Sequence, residues 1–180
     1  MKIRVATVKD SSRIADIHAT SWRSSYAGIL SNKYLLETVP QERLITWKQS
    51  LEYPKHNQCI FVAEYDDKVI GFICVLLDED PLLGSYIDNL HIDTSHQSRG
   101  IGRALLAKAA EWCNELSPKS GLFLLVTQQN KRAQAFYTRL GGYKQQTDSW
   151  VAPEGTIIPT YRFVWQSMVD VVVLLHPRAY

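Results

Sequence analysis

The stretch that most constrains the fold is Asp88–Trp112, which reads DNLHIDTSHQSRGIGRALLAKAAEW. It begins with residues typical of a β-strand, passes through a polar segment that ends in Gly100 and Gly102, and continues into a long apolar-periodic run. Apolar residues at helical spacing predict a helix over residues 100–116. A strand that leads through a glycine turn into a helix indicates a domain of the α/β or α+β class.

The rest of the chain supplies further elements around this segment. Alternating residues predict a strand over residues 2–8, and Asp10 or Ser11 can cap the helix that follows. The other expected elements are a short helix at 31–38, a helix after Pro40, a hairpin formed by QCIFVAEY and VIGFICVLL, a strand in GSYIDNLHID, a buried strand in GLFLLVT, a helix at 131–140 ended by Gly141, and strands near 143–151 and 160–166. The predicted fold is therefore α/β (α+β), with a mixed, mostly antiparallel central sheet of about six to seven strands and helices on both faces.

Composition disfavours several classes of function. The formal charge is only +2 over 180 residues and no long basic run occurs, so we expect no nucleic-acid partner. No run of 18 apolar residues occurs and the first ten residues read as a strand rather than a signal sequence, so we expect no membrane partner. Cys59, Cys74 and Cys113 are not clustered, which indicates reduced thiols in the cytoplasm and neither a disulfide framework nor a zinc site.

The glycine turn is suited to binding an anion. A helix N-terminus has N–H groups without intrahelical partners and a partial positive charge, glycines let an anion approach the backbone closely, and Arg99 and Arg103 add charge. The P-loop pattern fails because no GK[ST] ending occurs. The dinucleotide pattern GxGxxG fails at Leu105, which disfavours an oxidoreductase. The pyrophosphate loop of acyl-CoA transferases, Q/R-x-x-G-x-G/A, matches in full from Gln97 to Gly102; a plain turn is the alternative.

From residue 2 to about 166 the chain resembles the GNAT superfamily of acyl-CoA-dependent N-acyltransferases. The segment LHIDTSHQSRGIGRALL is similar to the family's strand, loop and helix, and NKRAQAFYTRLGGY is similar to its N-x-x-A-x-x-F-Y-x-x-x-G-F/Y segment. SWRSSYAGIL resembles an acceptor-side helix and loop found in many members, with lower specificity. The resemblance implies a single N-acetyltransferase domain over residues 1–167, followed by a C-terminal extension at 168–180.

The resemblance also implies acetyl-CoA as the acetyl donor, no metal, and a primary amine of a small molecule or a peptide N-terminus as the acceptor. Backbone groups of the strand at Leu90, His91 and Ile92 would contact the pantetheine arm and the thioester carbonyl. Asn130, with Ala133 one turn later, would contact the same arm. The residues implied to bind the pyrophosphate are Gln97, Ser98, Arg99, Gly100, Ile101, Gly102, Arg103 and Ala104.

Two residues are the candidates for proton transfer. Tyr137 matches the family tyrosine near the sulfur and would act as general acid to the thiolate, or hydrogen-bond to it; a plain core aromatic is the alternative. Asp88 stands where several members carry a strand glutamate, and its shorter side chain favours a water relay as the base. A carboxylate with a purely structural hydrogen bond is the alternative. Tyr86 shares the strand face of Asp88, whereas His91 lies on the opposite face and is a weaker candidate.

The amine pocket is predicted to include Trp22, Tyr26 and Tyr86, with Tyr34 as a further candidate, because aromatic walls suit a cationic or apolar amine. Helix packing is the alternative for Trp22. A CoA-binding sensor or interaction module with little catalysis is the alternative for the whole chain. The apolar run from Val171 to Leu175 is expected to extend the last strand, cover the sheet or pair with a second subunit, and a homodimer is favoured.

Overall fold

The computed structural model describes residues 1–175, which form seven strands and five α-helices. The strands are β1 (Lys2–Val5), β2 (Gln58–Tyr65), β3 (Lys68–Asp80), β4 (Gly84–Ile92), β5 (Leu122–Thr127), β6 (Tyr143–Val151) and β7 (Ile157–Trp165). The helices are α1 (Ser11–Ser25), α2 (Val39–Glu52), α3 (Ile101–Leu116), α4 (Lys131–Arg139) and α5 (Met168–Leu175). A π-helical segment, Tyr34–Thr38, leads into α2.

The strands form one sheet in the order β1-β2-β3-β4-β5-β7-β6. The pairing of β1 with β2 is antiparallel, as are those of β5 and β6 with β7, whereas β4 and β5 are parallel. The predicted fold class, α/β with a mixed sheet of six to seven strands, is confirmed. The predicted hairpin of β2 and β3 is also confirmed: Asp66 and Asp67 both have positive φ, 48° and 57°, as a tight two-residue turn requires.

The beginning of the chain differs from the prediction in two details. The first strand ends at Val5 instead of residue 8. Asp10 occupies the N-cap position of α1, but its carboxylate makes no capping bond. It accepts hydrogen bonds from the Thr7 backbone N–H (2.7 Å) and from Arg4 (2.8 Å), and these bonds turn the chain out of the strand direction. The hydrogen bond from Arg4 lowers the pKa of Asp10, so the carboxylate stays ionised and the ion pair persists.

The chain divides into two compact units. The first unit comprises Met1–Cys74 and Asn89–Leu105, and the second comprises Val75–Asp88 and the described residues from Leu106 onward. The first unit buries one face of α1, on which Ile14, Ile17 and His18 recur at helical spacing. Fully or nearly fully buried residues of the first unit include Ile14, Trp47, Val62 and Phe72, and those of the second include Leu106, Leu122, Leu124, Ile158 and Phe163.

The apolar C-terminal run forms helix α5, so the first of the three roles expected for it, extension of the last strand, is wrong. Trp165, the last residue of β7, pairs with Leu122, the first residue of β5. On the other side of β7, Val164 pairs with Tyr143, the first residue of β6. A longer β7 would therefore have no partner strand on either side, and unpaired backbone groups are costly. Met168 and Val171 of α5 are buried. Residues 176–180 lie outside the described part of the chain.

No helix within residues 1–175 has the length and apolarity needed to cross a membrane. No group of three or more His, Cys, Asp or Glu side chains in this range is arranged to hold a metal ion.

Candidate active site

The predicted site residues are distributed over both units. The first unit contains the glycine turn, the last residues of β4 and the aromatic residues of α1. The second unit contains the first residues of β4 and helix α4. Predicted residues in the first unit are Trp22, Tyr26, Leu90, His91, Ile92 and Gln97–Ala104, and those in the second are Tyr86, Asp88, Asn130, Ala133 and Tyr137.

The segment between β4 and the glycine turn is held by hydrogen bonds. The Asp93 carboxylate accepts from the Ser95 N–H at 2.9 Å and forms an ion pair with Arg13 of α1. The Ser95 hydroxyl and Arg13 lower the pKa of Asp93 to about 2, so this carboxylate stays charged. Gln97, the first residue of the motif, donates from Nε2 to the carbonyl of Ile92 (3.3 Å). The turn is therefore attached to the end of β4 by its own side chain.

The glycine turn has an unusual backbone. Ser98 has φ of +64° and Gly100 has φ of +80°, while Arg99 between them is not among the positive-φ residues of the described chain. Alternation of the sign of φ points successive N–H groups into one concavity that binds anions. A left-handed conformation costs a non-glycine residue such as Ser98 about 1–2 kcal/mol. A Cβ on Gly100 would meet no atom within 4 Å, so that side of the backbone is open.

Helix α3 begins directly after this turn. Its first hydrogen bond runs from the Ala104 N–H to the Gly100 carbonyl (3.0 Å), and its first turn contains no acidic residue. Arg99 is exposed, while Ile101 and Leu105 are buried and anchor the beginning of the helix in the first unit. The N–H groups that precede the first intrahelical bond face outward from a helix N-terminus. The partial positive charge at this end of α3 would attract an anion such as a pyrophosphate.

The end of β4 is packed closely against β3. A Cβ on Gly71 of β3 would lie 2.7 Å from Cδ1 of Ile92 and 3.1 Å from the carbonyl oxygen of His91. Only glycine leaves room for this approach, and the same position lies 3.4 Å from Leu105 of α3. The last residues of β4 and Leu105 of α3 therefore both pack around Gly71.

The beginning of β4 pairs with β5 in parallel over two residue pairs, Ser85 with Leu122 and Tyr86 with Phe123. The ring of Tyr86 lies 4.9 Å from that of Phe123. β5 continues to Thr127 with all six of its residues paired to β7. The side chain of Asp88, two residues after Tyr86 on the same face of β4, is exposed.

Side chains of α1, α2, β3 and β4 form a histidine–aromatic cluster in the first unit. It consists of His18, Trp22, Trp47, Phe72 and His91. His18 Nδ1 accepts from the indole N–H of Trp47 (3.0 Å), so the neutral ring carries its proton on Nε2. Burial lowers the pKa of His18 well below its ordinary value. Burial and this hydrogen bond give the His18 ring a structural role in the cluster.

His91 has partners at both ring nitrogens. Its Nδ1 lies 2.8 Å from the Ser21 hydroxyl, and its Nε2 lies 3.3 Å from Oδ1 of Asn89. Because an amide oxygen can only accept, Nε2 donates and Nδ1 accepts from Ser21. Burial lowers the pKa of His91 to about 4. The ring is thus neutral at physiological pH, and its acceptor nitrogen is already used, which argues against His91 as the base.

The two aromatic residues predicted for the amine pocket are in contact. The rings of Trp22 and Tyr26 lie 5.0 Å apart, edge to face. The guanidinium of Arg43, from α2, lies 4.7 Å from the centroid of the Trp22 ring. Burial raises the pKa of Tyr26 to about 12, and the charge of Arg43 acts in the opposite direction. Arg43 was not predicted from the sequence, because no local pattern indicates that α2 places it on Trp22.

Helix α4 presents the predicted tyrosine of the second unit. Asn130 caps the helix, with its Oδ1 accepting from the Ala133 N–H (3.0 Å), and Gln134 donates to the carbonyls of Thr127 and Gln128. Tyr137 is 8% exposed, and burial raises its pKa, so the phenol is protonated at neutral pH. Within residues 1–175 its hydroxyl has no hydrogen-bond partner. A buried phenol normally has one.

Comparison with known sequences identifies related proteins. A family model for the acetyltransferase (GNAT) family matches residues 14–142. A probable N-acetyltransferase, Rv2775 of Mycobacterium tuberculosis, is 27% identical over 163 residues, which cover 88% of this chain and 90% of that protein. The uncharacterized N-acetyltransferase YuaI of Bacillus subtilis is 31% identical over 71% of this chain and 72% of its own length. A spermidine N(1)-acetyltransferase of Thermoplasma acidophilum is 25% identical over 82% of this chain and 91% of its own.

Comparison with solved structures supports the same fold. The PaiA N-acetyltransferase of Thermoplasma acidophilum, solved in complex with coenzyme A, has a TM-score of 0.69 at 21% identity and covers 89% of this chain and 98% of its own. YncA of Salmonella typhimurium, a putative acetyltransferase solved with acetyl-CoA, has a TM-score of 0.66 at 17% identity. The match covers 92% of this chain and 93% of YncA.

Proposed function

Because this chain belongs to the acetyltransferase (GNAT) family, we propose that it transfers the acetyl group of acetyl-CoA directly to a primary amine of a small molecule or to a peptide N-terminus. The family assignment makes the chain an acyltransferase with acetyl-CoA as cosubstrate. The observation that carries the proposal is the backbone of Ser98–Gly100, whose alternating φ signs precede the N-terminus of α3. Such a concavity suits the pyrophosphate of the donor.

The donor is proposed to bind along β4, the glycine turn and α4. Main-chain N–H groups from Ser98 to Ala104 would bind the pyrophosphate, with Gln97 holding the turn to Ile92. Backbone groups of Leu90, His91 and Ile92 would contact the pantetheine arm and the thioester carbonyl. Since Oδ1 of Asn130 already caps α4 at Ala133, its contact with the arm would use the amide Nδ2 as donor.

Acetyl-CoA supplies a thioester whose C–S bond breaks as the new C–N bond forms. Backbone N–H groups at the end of β4 would stabilise the charge that develops on the carbonyl oxygen. Tyr137 would donate its phenolic proton to the departing sulfur, and its raised pKa keeps that proton in place until then. The exposed side chain of Asp88 would take the proton of the amine through water.

A thiol-release assay with acetyl-CoA and a panel of amines tests the proposal. Free thiol that appears only when an amine is present, together with an acetylated product seen by mass spectrometry, is the expected result. A CoA-binding module without catalysis would bind acetyl-CoA in calorimetry but release no thiol with any amine. That result would contradict the proposed enzyme and support the alternative, a CoA-binding sensor or interaction module.

The proposal extends to the organisation of the protein. The catalytic domain would span residues 1–167, with 168–180 as an extension. A cytoplasmic location is supported by Cys59, Cys74 and Cys113, none of which forms a disulfide within the described part of the chain. A homodimer is supported by α5, whose apolar Val169 is 52% exposed. Light scattering tests the dimer, since Val169→Glu is expected to convert it to monomers; a monomeric wild type would contradict it.

A further inference from the structure

Arg43 is a mostly buried cation in the first unit. Its side chain is 17% exposed, and its guanidinium lies over the face of Trp22 at 4.7 Å. Its charge also reaches His18 and Tyr26, lowering the pKa of both. A guanidinium that lies over the face of an indole keeps its N–H groups in the plane of the guanidinium. From there they point outward and can bind a planar anion.

The charge of Arg43 is poorly compensated by the protein. Its acidic partner is Glu42, with a separation of 3.8 Å, and adjacent helix residues do not face each other. Glu42 instead accepts a short hydrogen bond, 2.6 Å, from the Tyr34 hydroxyl. The Nε of Arg43 is buried and has no hydrogen-bond partner among the described residues. A buried charge with so few hydrogen bonds is costly, and because Nε is enclosed, the donors that a ligand can reach are the terminal Nη groups.

We propose that Arg43, stacked on Trp22, binds a carboxylate of the acceptor, so that the acceptor is an amino acid rather than a polyamine. This inference rests on the proposed function and specifies its substrate. A guanidinium binds a carboxylate with two parallel hydrogen bonds. It repels a polycation such as spermidine, on which one relative is named to act. The substrate class proposed for this chain therefore differs from the one named for that relative.

Matched pairs of acceptors that differ only in the carboxylate give a direct test. L-phenylalanine is compared with 2-phenylethylamine, and L-leucine with 3-methylbutylamine, alongside spermidine. We expect kcat/KM to be about 10- to 100-fold higher for each amino acid than for its amine, the usual contribution of hydrogen bonds to a charged group. Equal values within a pair, or a preference for spermidine, would overturn the inference while leaving the acetyltransferase in place. Absence of thiol release with every acceptor would contradict both the amino-acid acceptor and the proposed acetyltransferase activity.

Variants of Arg43 localise the effect. Arg43→Met keeps the length of the side chain and its packing on Trp22 but removes the charge, and Arg43→Lys keeps the charge without the fork geometry. We expect KM for the amino acid to rise about 10- to 100-fold in Arg43→Met, and less in Arg43→Lys, while values for the matched amine stay unchanged. Arg23→Met is the control, because Arg23 is an exposed arginine of α1 next to Trp22 in sequence.

A second readout separates binding from folding. Calorimetric affinity for acetyl-CoA is expected to remain at the wild-type value in both Arg43 variants, because the glycine turn is untouched. If Arg43→Met does not fold, Arg43→Lys and Arg43→Gln carry the same comparison. A loss of activity that is equal for the amino acid and for the matched amine would show that Arg43 is only structural and would contradict the inference.

Discussion

The imidazole rings of His18 and His91 lie stacked in the first unit, with centroids 4.6 Å apart and planes 27° from parallel. Two imidazolium rings at this distance would repel each other, and burial lowers the pKa of both. The stack therefore exists with both rings neutral. It joins α1 to the strand whose backbone is proposed to contact the thioester.

The stack predicts loss of stability in mild acid. His91 has a folded pKa of about 4 and an unfolded pKa of about 6.5, so between these values the unfolded chain binds more protons. The free energy of unfolding should therefore fall, by about 1–3 kcal/mol, as the pH drops from 6.5 towards 4. Urea titrations across this range measure it. His91→Gln should reduce the dependence and leave the part that comes from His18, whereas the same change at exposed His56 should leave it unchanged.

Gly100→Asp is predicted to abolish tight donor binding. The substitution places a carboxylate in the concavity proposed for the pyrophosphate, so acetyl-CoA affinity in calorimetry should fall by at least about tenfold. Gly155→Asp is the matched control: its φ is +82° against +80°, and a Cβ at either glycine meets no atom within 4 Å. Backbone strain is therefore equal in the two variants. Equal acetyl-CoA affinity in both would contradict the proposed pyrophosphate site.

Tyr137→Phe should lower turnover about 100- to 10,000-fold, the usual contribution of acid–base catalysis. Acetyl-CoA affinity should be unchanged. Thermal stability should not decrease, because the hydroxyl has no partner to lose within the described residues. Tyr161→Phe, a partly buried tyrosine of β7, is the control and should retain wild-type turnover. A loss below about threefold, with chemistry rate-limiting, would leave Tyr137 as a core aromatic.

Asp88→Asn tests the route of the amine proton. If Asp88 accepts it through water, turnover should fall most at low pH, where little free amine is present, and should recover partly at high pH. Acetyl-CoA affinity should not change. pH–rate profiles of wild type, Asp88→Asn and a control, Asp16→Asn on the exposed side of α1, provide the measurement. Superimposable profiles would leave Tyr86 or a water held by the main chain as the next candidates.

Much of the fold and part of the site were readable from local patterns. The turn from Gln97 to Gly102, the helix after it and the tyrosine of α4 all follow from residues that are near in sequence. Asp10, one of the two residues expected to cap α1, lies at the N-cap but makes no capping bond, and strand extension, one of three roles expected for the C-terminal run, is wrong. Neither environment is local in sequence. The carboxylate of Asp10 accepts hydrogen bonds from Arg4. Helix α5 replaces a strand because the first residues of β5 and β6 already lie opposite Trp165 and Val164, so a longer β7 would have no partner.

Sequence alone determined the periodicity of the elements and the chemistry of the glycine turn, since backbone conformation there depends on the residues of the turn itself. Tertiary structure decided which side chains meet. His91 contacts Ser21 from 70 positions away, and Arg43 reaches Trp22 only because α2 packs beside α1. Such contacts depend on how helices and strands pack against one another, which no period of two or 3.6 residues encodes.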